Sequence, residues 1–258
     1  MAEPVILHHK AEFQKAIAEL RISEHGKQVL AKAKLVALSG VAGGGRNTII
    51  NYLLEHCDRY FFIVSDTTRP PKLRDGVMEK DGVNYFFRTE EDMLADIRGG
   101  EFIEAEIIHD QQVSGTSIRI IEKATAEGKI AIRDFEYLGT QNVAALKPDA
   151  YIIGLLPSSY EAWQERFAGR EEIHSNEFFN RLRTAKKVLE AMLEKPYFKF
   201  VVNDTVEQAA NDLREIVEQD VVDETKQQQA RQLAEELLAR VRQELAGDKQ
   251  TNGEPLAV

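Results

Sequence analysis

The chain has 258 residues, 43% of them hydrophobic and 29% charged, which is ordinary for a globular protein, and its formal net charge of -10 disfavours sequence-independent binding of nucleic acid. Cys57 is the only cysteine, which excludes an intrachain disulfide and a cysteine metal cluster. The chain shows neither a signal sequence nor an apolar run approaching the roughly 20 residues that cross a bilayer. We therefore expect a cytoplasmic protein with no membrane or nucleic acid partner.

The chain opens with a predicted helical extension over residues 1–34. Phe13, Ile17 and Leu20 recur at the spacing of one helix face, and Val29 belongs to a second, shorter helix. Both helices precede the first predicted strand.

Strands and helices then alternate, apart from one interruption. The predicted strands cover 35–39, 60–64, 130–132, 151–156 and 198–202, and a charged helical stretch covers 160–195. This order predicts an α/β fold, a parallel sheet with helices on both faces and ligands at the carboxyl ends of its strands. Residues 65–117 break the order with short strand-like runs and a helix near 89–98, which predicts a small inserted α+β subdomain.

A C-terminal amphipathic helix is predicted over residues 219–247. Apolar residues between Ala230 and Leu245 form one stripe, and Gly247 is the predicted helix end, leaving 248–258 as a disordered tail. The stripe packs on its own domain or pairs with a second subunit. A homodimer through the terminal helices therefore stays open.

A glycine-rich turn follows the strand at 35–39. Its sequence is Gly40-Val41-Ala42-Gly43-Gly44-Gly45-Arg46-Asn47-Thr48, and the spacing of Gly40 and Gly45 is that of a phosphate-binding loop. In such a loop, backbone N–H groups and a helix N-terminus face the phosphates. Arg46 stands where lysine is usual and Asn47 where serine or threonine is usual. We predict that residues 40–48 bind ATP, with Arg46 as the catalytic cation.

Further blocks along the chain resemble those of the guanylate kinase family. They are Ser65-Asp66-Thr67-Thr68-Arg69-Pro70-Pro71-Lys72, Asn84-Tyr85, Phe102-Ile103-Glu104, Ser114-Gly115-Thr116-Ser117, Asp134-Phe135-Glu136, the set Arg166, Arg170 and Arg181, and Val201-Val202-Asn203-Asp204. They follow the family's order over about residues 35–218. The resemblance implies a P-loop NTPase-like core (35–64 and 118–218), a GMP-binding subdomain (65–117) and a mobile lid (about 160–183).

The resemblance also implies roles in binding GMP. A nucleoside monophosphate carries about two negative charges and needs cations and hydroxyl donors, and a carboxylate can accept from both N1–H and N2–H of guanine. The implied GMP-binding residues are Ser65, Arg69, Lys72, Tyr85, Glu104, Thr116 and Asp134. Lys72 stands where the family usually has a second arginine, which keeps the charge and loses the bidentate geometry. Ser114 stands where a tyrosine is usual.

Metal and lid roles follow from the same resemblance. Asp134, Glu136 and Asn47 would hold Mg²⁺, largely through water. Arg166, Arg170 and Arg181 would close over the transferring phosphoryl group, where positioned cations are the main catalytic device, and Asn203 would lie on the adenine side of ATP.

Two functions remain open from the sequence. In the first, the chain is a guanylate kinase that uses ATP and Mg²⁺ to convert GMP to GDP, with dGMP as a further candidate acceptor. In the second, it is a catalytically silent module of the same shape that binds a nucleotide or a phosphorylated peptide. Arg46 and Asn47 favour the silent module. The retained set of acceptor and lid residues favours the kinase, which we expect.

Overall fold

A computed structural model describes residues 6–74, 76–168 and 176–251, with the side chains of residues 167–168 and 248–251 left undescribed. Contacts divide the chain into two compact units. The first unit comprises Met1–Leu35, Asp58–Arg133 and Asn142–Ala150, and the second comprises Val36–Cys57, Asp134–Gln141 and Tyr151–Val258. The region predicted as an insertion, residues 65–117, lies within the first unit.

Helices and strands alternate through much of the chain. In chain order, the helices are α1 (Lys10–Ala18), α2 (Glu24–Lys32), α3 (Arg46–His56), α4 (Glu90–Arg98), α5 (Ile118–Ala126), α6 (Tyr137–Leu146), α7 (Tyr160–Ala168), α8 (Asn176–Glu194), α9 (Val206–Glu218) and α10 (Glu224–Thr251). The strands are β1 (Leu35–Gly40), β2 (Tyr60–Phe62), β3 (Asp66–Thr67), β4 (Leu73–Arg74), β5 (Val77–Met78), β6 (Phe86–Phe87), β7 (Phe102–Ile108), β8 (Gln112–Ser117), β9 (Ile130–Asp134), β10 (Tyr151–Pro157) and β11 (Phe198–Asn203). The predicted α/β class is confirmed.

The second unit is built on parallel strands in the order β11, β10, β1. Val36 pairs with Tyr151 and Gly40, the last residue of β1, with Leu155, while β10 continues to Pro157. Every residue of β1 is buried, which explains its continuous apolar run. The loop after β1 therefore leaves the sheet at its carboxyl edge.

The first unit contains one parallel pair and a mixed sheet. Strand β2 pairs with β9 in parallel, and a four-stranded sheet has the order β6, β3, β8, β7. The predicted strand at 60–64 ends early, at Phe62, although Ile63 and Val64 remain buried. The apolar pattern reflects the burial of these two residues, so it extends beyond the strand, whose end depends on backbone hydrogen bonding.

The predicted N-terminal helices are confirmed as α1 and α2. Phe13 of α1 is fully buried in a cluster with Met93 and Ile97 of α4 and Phe102 of β7. Helix α2 packs on α5 and begins after Ser23, whose hydroxyl accepts from the Gly26 N–H at 3.0 Å. The extension is thus part of the core of the first unit.

The C-terminal helix α10 packs on α8, β10 and β11 of the second unit. Its stripe is buried, with Ala234 and Val241 fully enclosed, as expected for packing on the chain's own domain. The side chain of Gln227 accepts from the Phe200 N–H at 2.7 Å and donates to the Phe200 carbonyl at 2.9 Å.

The predicted end of this helix at Gly247 is wrong, because α10 continues to Thr251. Glycine ends a helix when it adopts the left-handed conformation, and Gly247 has no positive φ. A single glycine otherwise costs only about 1 kcal/mol in a helix. Of the tail predicted as disordered, residues 248–251 are helical and 252–258 lie outside the described residues. No helix in the described ranges is long and apolar enough to cross a membrane.

Candidate active site

The glycine-rich loop joins the carboxyl end of β1 to the first turn of α3. Gly43 and Gly45 have φ values of +78° and +98°, which residues that carry a side chain rarely adopt. A Cβ at Gly45 would also collide with the amide nitrogen of Asn203. Both features require glycine, and Gly45 is the N-cap residue of α3, whose first residue is Arg46. The sequence thus builds a helix N-terminus at the end of β1.

Side chains of α7 and β11 hold the carbonyl groups of this loop. The Trp163 Nε1–H donates to the Ala42 carbonyl at 2.8 Å, and the Asn203 side-chain amide donates to the Gly44 carbonyl at 2.8 Å. Arg166 donates to the Asn203 carbonyl at 3.2 Å and, more weakly, to the Gly44 carbonyl at 3.5 Å. Three side chains from outside the loop therefore fix its backbone.

A cavity of about 410 Å³ lies over the loop, within the second unit. It is lined by Gly43, Gly44, Gly45, Arg46, Asn47, Thr48, Asp134, Arg166, Asn203, Asp204 and Val206. The structure thus brings together most of the predicted ATP-binding residues, together with Arg166 and Asp134. Val206 was missed, because a single apolar residue at the start of a helix carries no sequence signal.

Other predicted residues lie apart from this lining. The side chain of Glu136 is exposed, and Arg181 pairs with Glu177 one turn earlier on α8 at 3.2 Å. The first three residues of the loop do not line the cavity; they are Gly40, Val41 and Ala42. Arg170 lies outside the described residues.

Arg46 reaches from the loop to the end of β9. Its Nη1 lies 3.4 Å from the Phe135 carbonyl oxygen and 3.9 Å from the Asp134 carboxylate. The Arg46 side chain is 16% exposed and that of Asp134 is 34% exposed. These long contacts hold the guanidinium loosely, inside the cavity.

Arg69 forms a buried ion pair that the sequence analysis missed. Its two terminal nitrogens lie 2.5 and 2.9 Å from the carboxylate of Glu79, and both side chains are 3% exposed. The hydrogen bonds from Arg69 lower the pKa of Glu79 to about 2, with smaller contributions from the Lys72 N–H and Arg74. The Tyr85 ring stacks on the guanidinium at 4.7 Å.

A sequence signal for this pair was available. Strands β4 and β5 pair antiparallel, with Arg74 opposite Val77, and the sequence between them contains Asp-Gly, a strong hairpin turn signal. The hairpin brings Arg69 and Glu79 together across its base. Lys72 is exposed, and its backbone N–H donates to Glu79 at 3.0 Å.

Glu104 and Thr116 lie opposite each other on β7 and β8. The Thr116 hydroxyl donates to the Glu104 carboxylate at 2.6 Å. Arg133, at the end of β9, donates to the Thr116 hydroxyl and lies 3.5 Å from Glu104 Oε1. Arg133 was missed because its position directly after an apolar strand reads as a strand end. The predicted partners Glu104 and Thr116 are in contact.

Two serines complete the description of the first unit. Ser65 is buried directly before β3. Ser114 is buried on β8 and donates to the Thr67 hydroxyl at 2.9 Å, so it joins two strands of the mixed sheet. Its side chain is thus used inside the sheet.

Parallel strands and a glycine loop that ends in a helix N-terminus define the class of P-loop α/β proteins. The guanylate kinase family model matches residues 32–220. A guanylate kinase of Corynebacterium diphtheriae is 38% identical over 185 residues, covering 71% of this chain and 94% of that protein. One of Schizosaccharomyces pombe is 34% identical over 201 residues, covering 77% and 96%. The chain belongs to the guanylate kinase family.

A solved structure has a similar fold. The crystal structure of guanylate kinase from Anaplasma phagocytophilum superposes with a TM-score of 0.52 at 24% sequence identity, covering 73% of this chain and 85% of that one. This likeness agrees with the α/β architecture described above.

Proposed function

We propose that this chain is a guanylate kinase that transfers the γ-phosphoryl group of ATP to GMP and produces GDP and ADP. The observation that carries the proposal is the cavity over the glycine loop. It combines a helix N-terminus, Arg46 and Arg166 with the carboxylate of Asp134. Phosphoryl transfer depends on positioned cations and metal-binding oxygens, because the transition state spreads charge over the phosphoryl oxygens.

In this proposal the loop binds the ATP phosphates. The first turn of α3 supplies N–H groups that point out of the helix N-terminus. Arg46 takes the place of lysine, and its loose contacts to Phe135 and Asp134 allow the guanidinium to move onto a phosphate oxygen. Arg166, at the cavity wall, supplies a second cation. Arg181 and Arg170 would join when the lid closes.

The donor set of the cavity suits Mg²⁺. Asp134, Asn47 and Thr48 line it and carry side-chain oxygen atoms, and oxygen is the ligand Mg²⁺ prefers. The described residues contain no group of three His, Cys, Asp or Glu that would hold a metal alone. Asp134 and Asn47 would therefore bind a magnesium ion through its waters, and the ion would neutralise phosphate charge. Glu136, which is exposed, would have to turn inward to contribute.

The first unit would bind GMP. Arg69, with Ser65, Lys72 and Tyr85, would hold the phosphate, and Glu79 keeps the Arg69 fork in a fixed orientation. The Glu104 carboxylate, oriented by Thr116, would accept from N1–H and N2–H of guanine. Adenine lacks these donors, so with AMP the Glu104 carboxylate would make neither contact to the base and would keep only its protein partners.

A coupled assay of ADP formation tests the proposal, with GMP, dGMP, AMP and UMP as separate acceptors. We expect turnover with GMP and little with AMP or UMP, and the dGMP rate measures tolerance for the missing 2′-hydroxyl. Absence of turnover with all four, beside measurable GMP binding, would contradict the kinase and leave the nucleotide- or phosphopeptide-binding module.

A further inference from the structure

Helix α7 contacts the glycine loop at two points that are one turn apart. Trp163 donates to the carbonyl of Ala42 at 2.8 Å, and Arg166 lies 3.5 Å from the carbonyl of Gly44. Charged residues in such a site are expected to bind phosphate. Trp163 carries no charge and is only 1% exposed, so another role must explain its contact.

The direction of a carbonyl group fixes the direction of the next N–H group. In a planar trans peptide the two point to opposite sides, so holding the Ala42 carbonyl toward α7 turns the Gly43 N–H away from α7. The Asn203 amide does the same for Gly44 and the Gly45 N–H. Three consecutive glycines can adopt many conformations, and these bonds select one of them.

Trp163 is itself held in place by its neighbours in the second unit. Its ring meets that of Tyr160 edge to face, with centroids 5.8 Å apart at 83°. The guanidinium of Arg240, on α10, lies over the Tyr160 ring, 5.1 Å from its centroid. A buried indole packed in this way has little freedom to turn its N–H elsewhere.

We infer that Trp163 is a positioning residue for the donor site: its indole N–H holds the Ala42 carbonyl and thereby orients the loop N–H groups toward the phosphates of a nucleoside triphosphate. This inference rests on the proposed function for the identity of the donor. Trp163 touches no substrate. It acts through the loop backbone, which it joins to α7.

The test replaces one atom. The chain has one tryptophan, so growth of a tryptophan auxotroph on 3-benzothienylalanine substitutes sulfur for the N–H of Trp163 alone and keeps the ring size. Loss of one hydrogen bond to the loop is expected to raise the KM for ATP about tenfold and to leave the KM for GMP within about twofold. Trp163→Phe should show the same split.

Tyr160→Phe is the matched control, because it removes a buried hydroxyl from the same helix and keeps the indole N–H. It should leave the KM for ATP within about twofold of the parent. An unchanged KM for ATP in the benzothienylalanine protein would overturn the inference. So would equal increases for ATP and GMP, or the same increase in Tyr160→Phe, since these would indicate a general structural effect.

Calorimetric titration with Mg-ADP separates this inference from the kinase proposal. If the parent shows no GMP-dependent turnover, the proposed function fails, and the ADP affinity still decides the role of Trp163. Affinity about tenfold weaker in the benzothienylalanine protein supports the positioning role, and equal affinity contradicts it.

Discussion

The glycine loop of the second unit and the proposed GMP site of the first unit differ in which groups are held by hydrogen bonds and ion pairs. In the loop, hydrogen bonds at 2.8 Å fix the backbone, while the nearest charged contact of Arg46 is 3.9 Å long. In the first unit the side chains themselves are paired, with Arg69 on Glu79 at 2.5 Å and Thr116 on Glu104 at 2.6 Å.

This difference indicates two kinds of preorganisation. A phosphate is bound mainly by backbone N–H groups, so fixing carbonyl directions prepares the loop, while Arg46 makes only long contacts. A base and a monophosphate are recognised by side chains, whose orientation must be fixed by partners before the ligand arrives. Substitutions on each side should therefore fail in different ways.

The largest effect is expected from Arg46→Ala. This change removes the cation from the loop and none of the hydrogen bonds that hold its backbone, so kcat/KM for ATP should fall by about 10³-fold while the free energy of unfolding changes little. Steady-state kinetics and chemical denaturation measure the two quantities. Arg46→Lys is the control and should recover much of the activity. Activity within tenfold of the parent in Arg46→Ala would mean that other groups hold the donor phosphates.

Glu104→Gln should change selectivity more than rate. An amide can no longer accept from both guanine donors, so the ratio of kcat/KM for GMP over AMP should fall by about 100-fold. The measurement is the coupled assay with each acceptor. Glu106→Gln, two residues along the same strand, is the control. An unchanged ratio in Glu104→Gln would assign guanine recognition to another residue.

Glu79→Gln should act on stability as well as on GMP binding. Removing the charge leaves Arg69 buried without its ion pair, at a cost of about 2 kcal/mol in the free energy of unfolding at pH 7. The folded pKa of Glu79, about 2, lies below its ordinary value of 4.5, so its contribution is present above pH 4.5 and is lost as the pH falls toward 2.

Urea denaturation of parent and variant between pH 7 and pH 3 measures this contribution. The difference between them should be largest at pH 7 and shrink below pH 4.5. Glu127→Gln, which breaks an exposed pair with Lys129, is the control and should cost less than about 1 kcal/mol. A pH-independent difference would show that the lost packing, and not the charge, is responsible.

Thr48→Ala is expected to have the smallest effect. Thr48 lines the cavity and offers a hydroxyl next to Asn47, so its loss should lower kcat about tenfold with the KM for ATP nearly unchanged. Single-turnover kinetics with saturating nucleotides measures the chemical step. Equal rates in variant and parent would remove Thr48 from the mechanism.

The contrast between the two regions also explains what the sequence could predict. The position of the loop is a local feature: glycine spacing between an apolar strand and an apolar helix predicts where it lies, and residues 43–48 do line one cavity. The partners Arg133 and Trp163 are separated from Thr116 and Ala42 by 17 and 121 positions. Such pairs follow from tertiary packing, which leaves no local pattern.

The prediction of helix boundaries also depended on whether the signal is local. The start of α2 was predictable because Ser23 caps it locally, whereas the end of α10 was not, because Gly247 has no positive φ and the helix continues to Thr251. Arg170 lies outside the described residues, and its role in the lid stays a prediction.

The contact between Gln227 and Phe200 has a consequence for solubility. Strand β11 ends the sheet order, and an uncovered terminal strand is a template for pairing with another chain. The Gln227 amide occupies the N–H and the carbonyl of Phe200 as a neighbouring strand would. The C-terminal helix lies beyond the matched family region. By covering the edge of β11 at Phe200, it disfavours aggregation of the kinase fold through this strand.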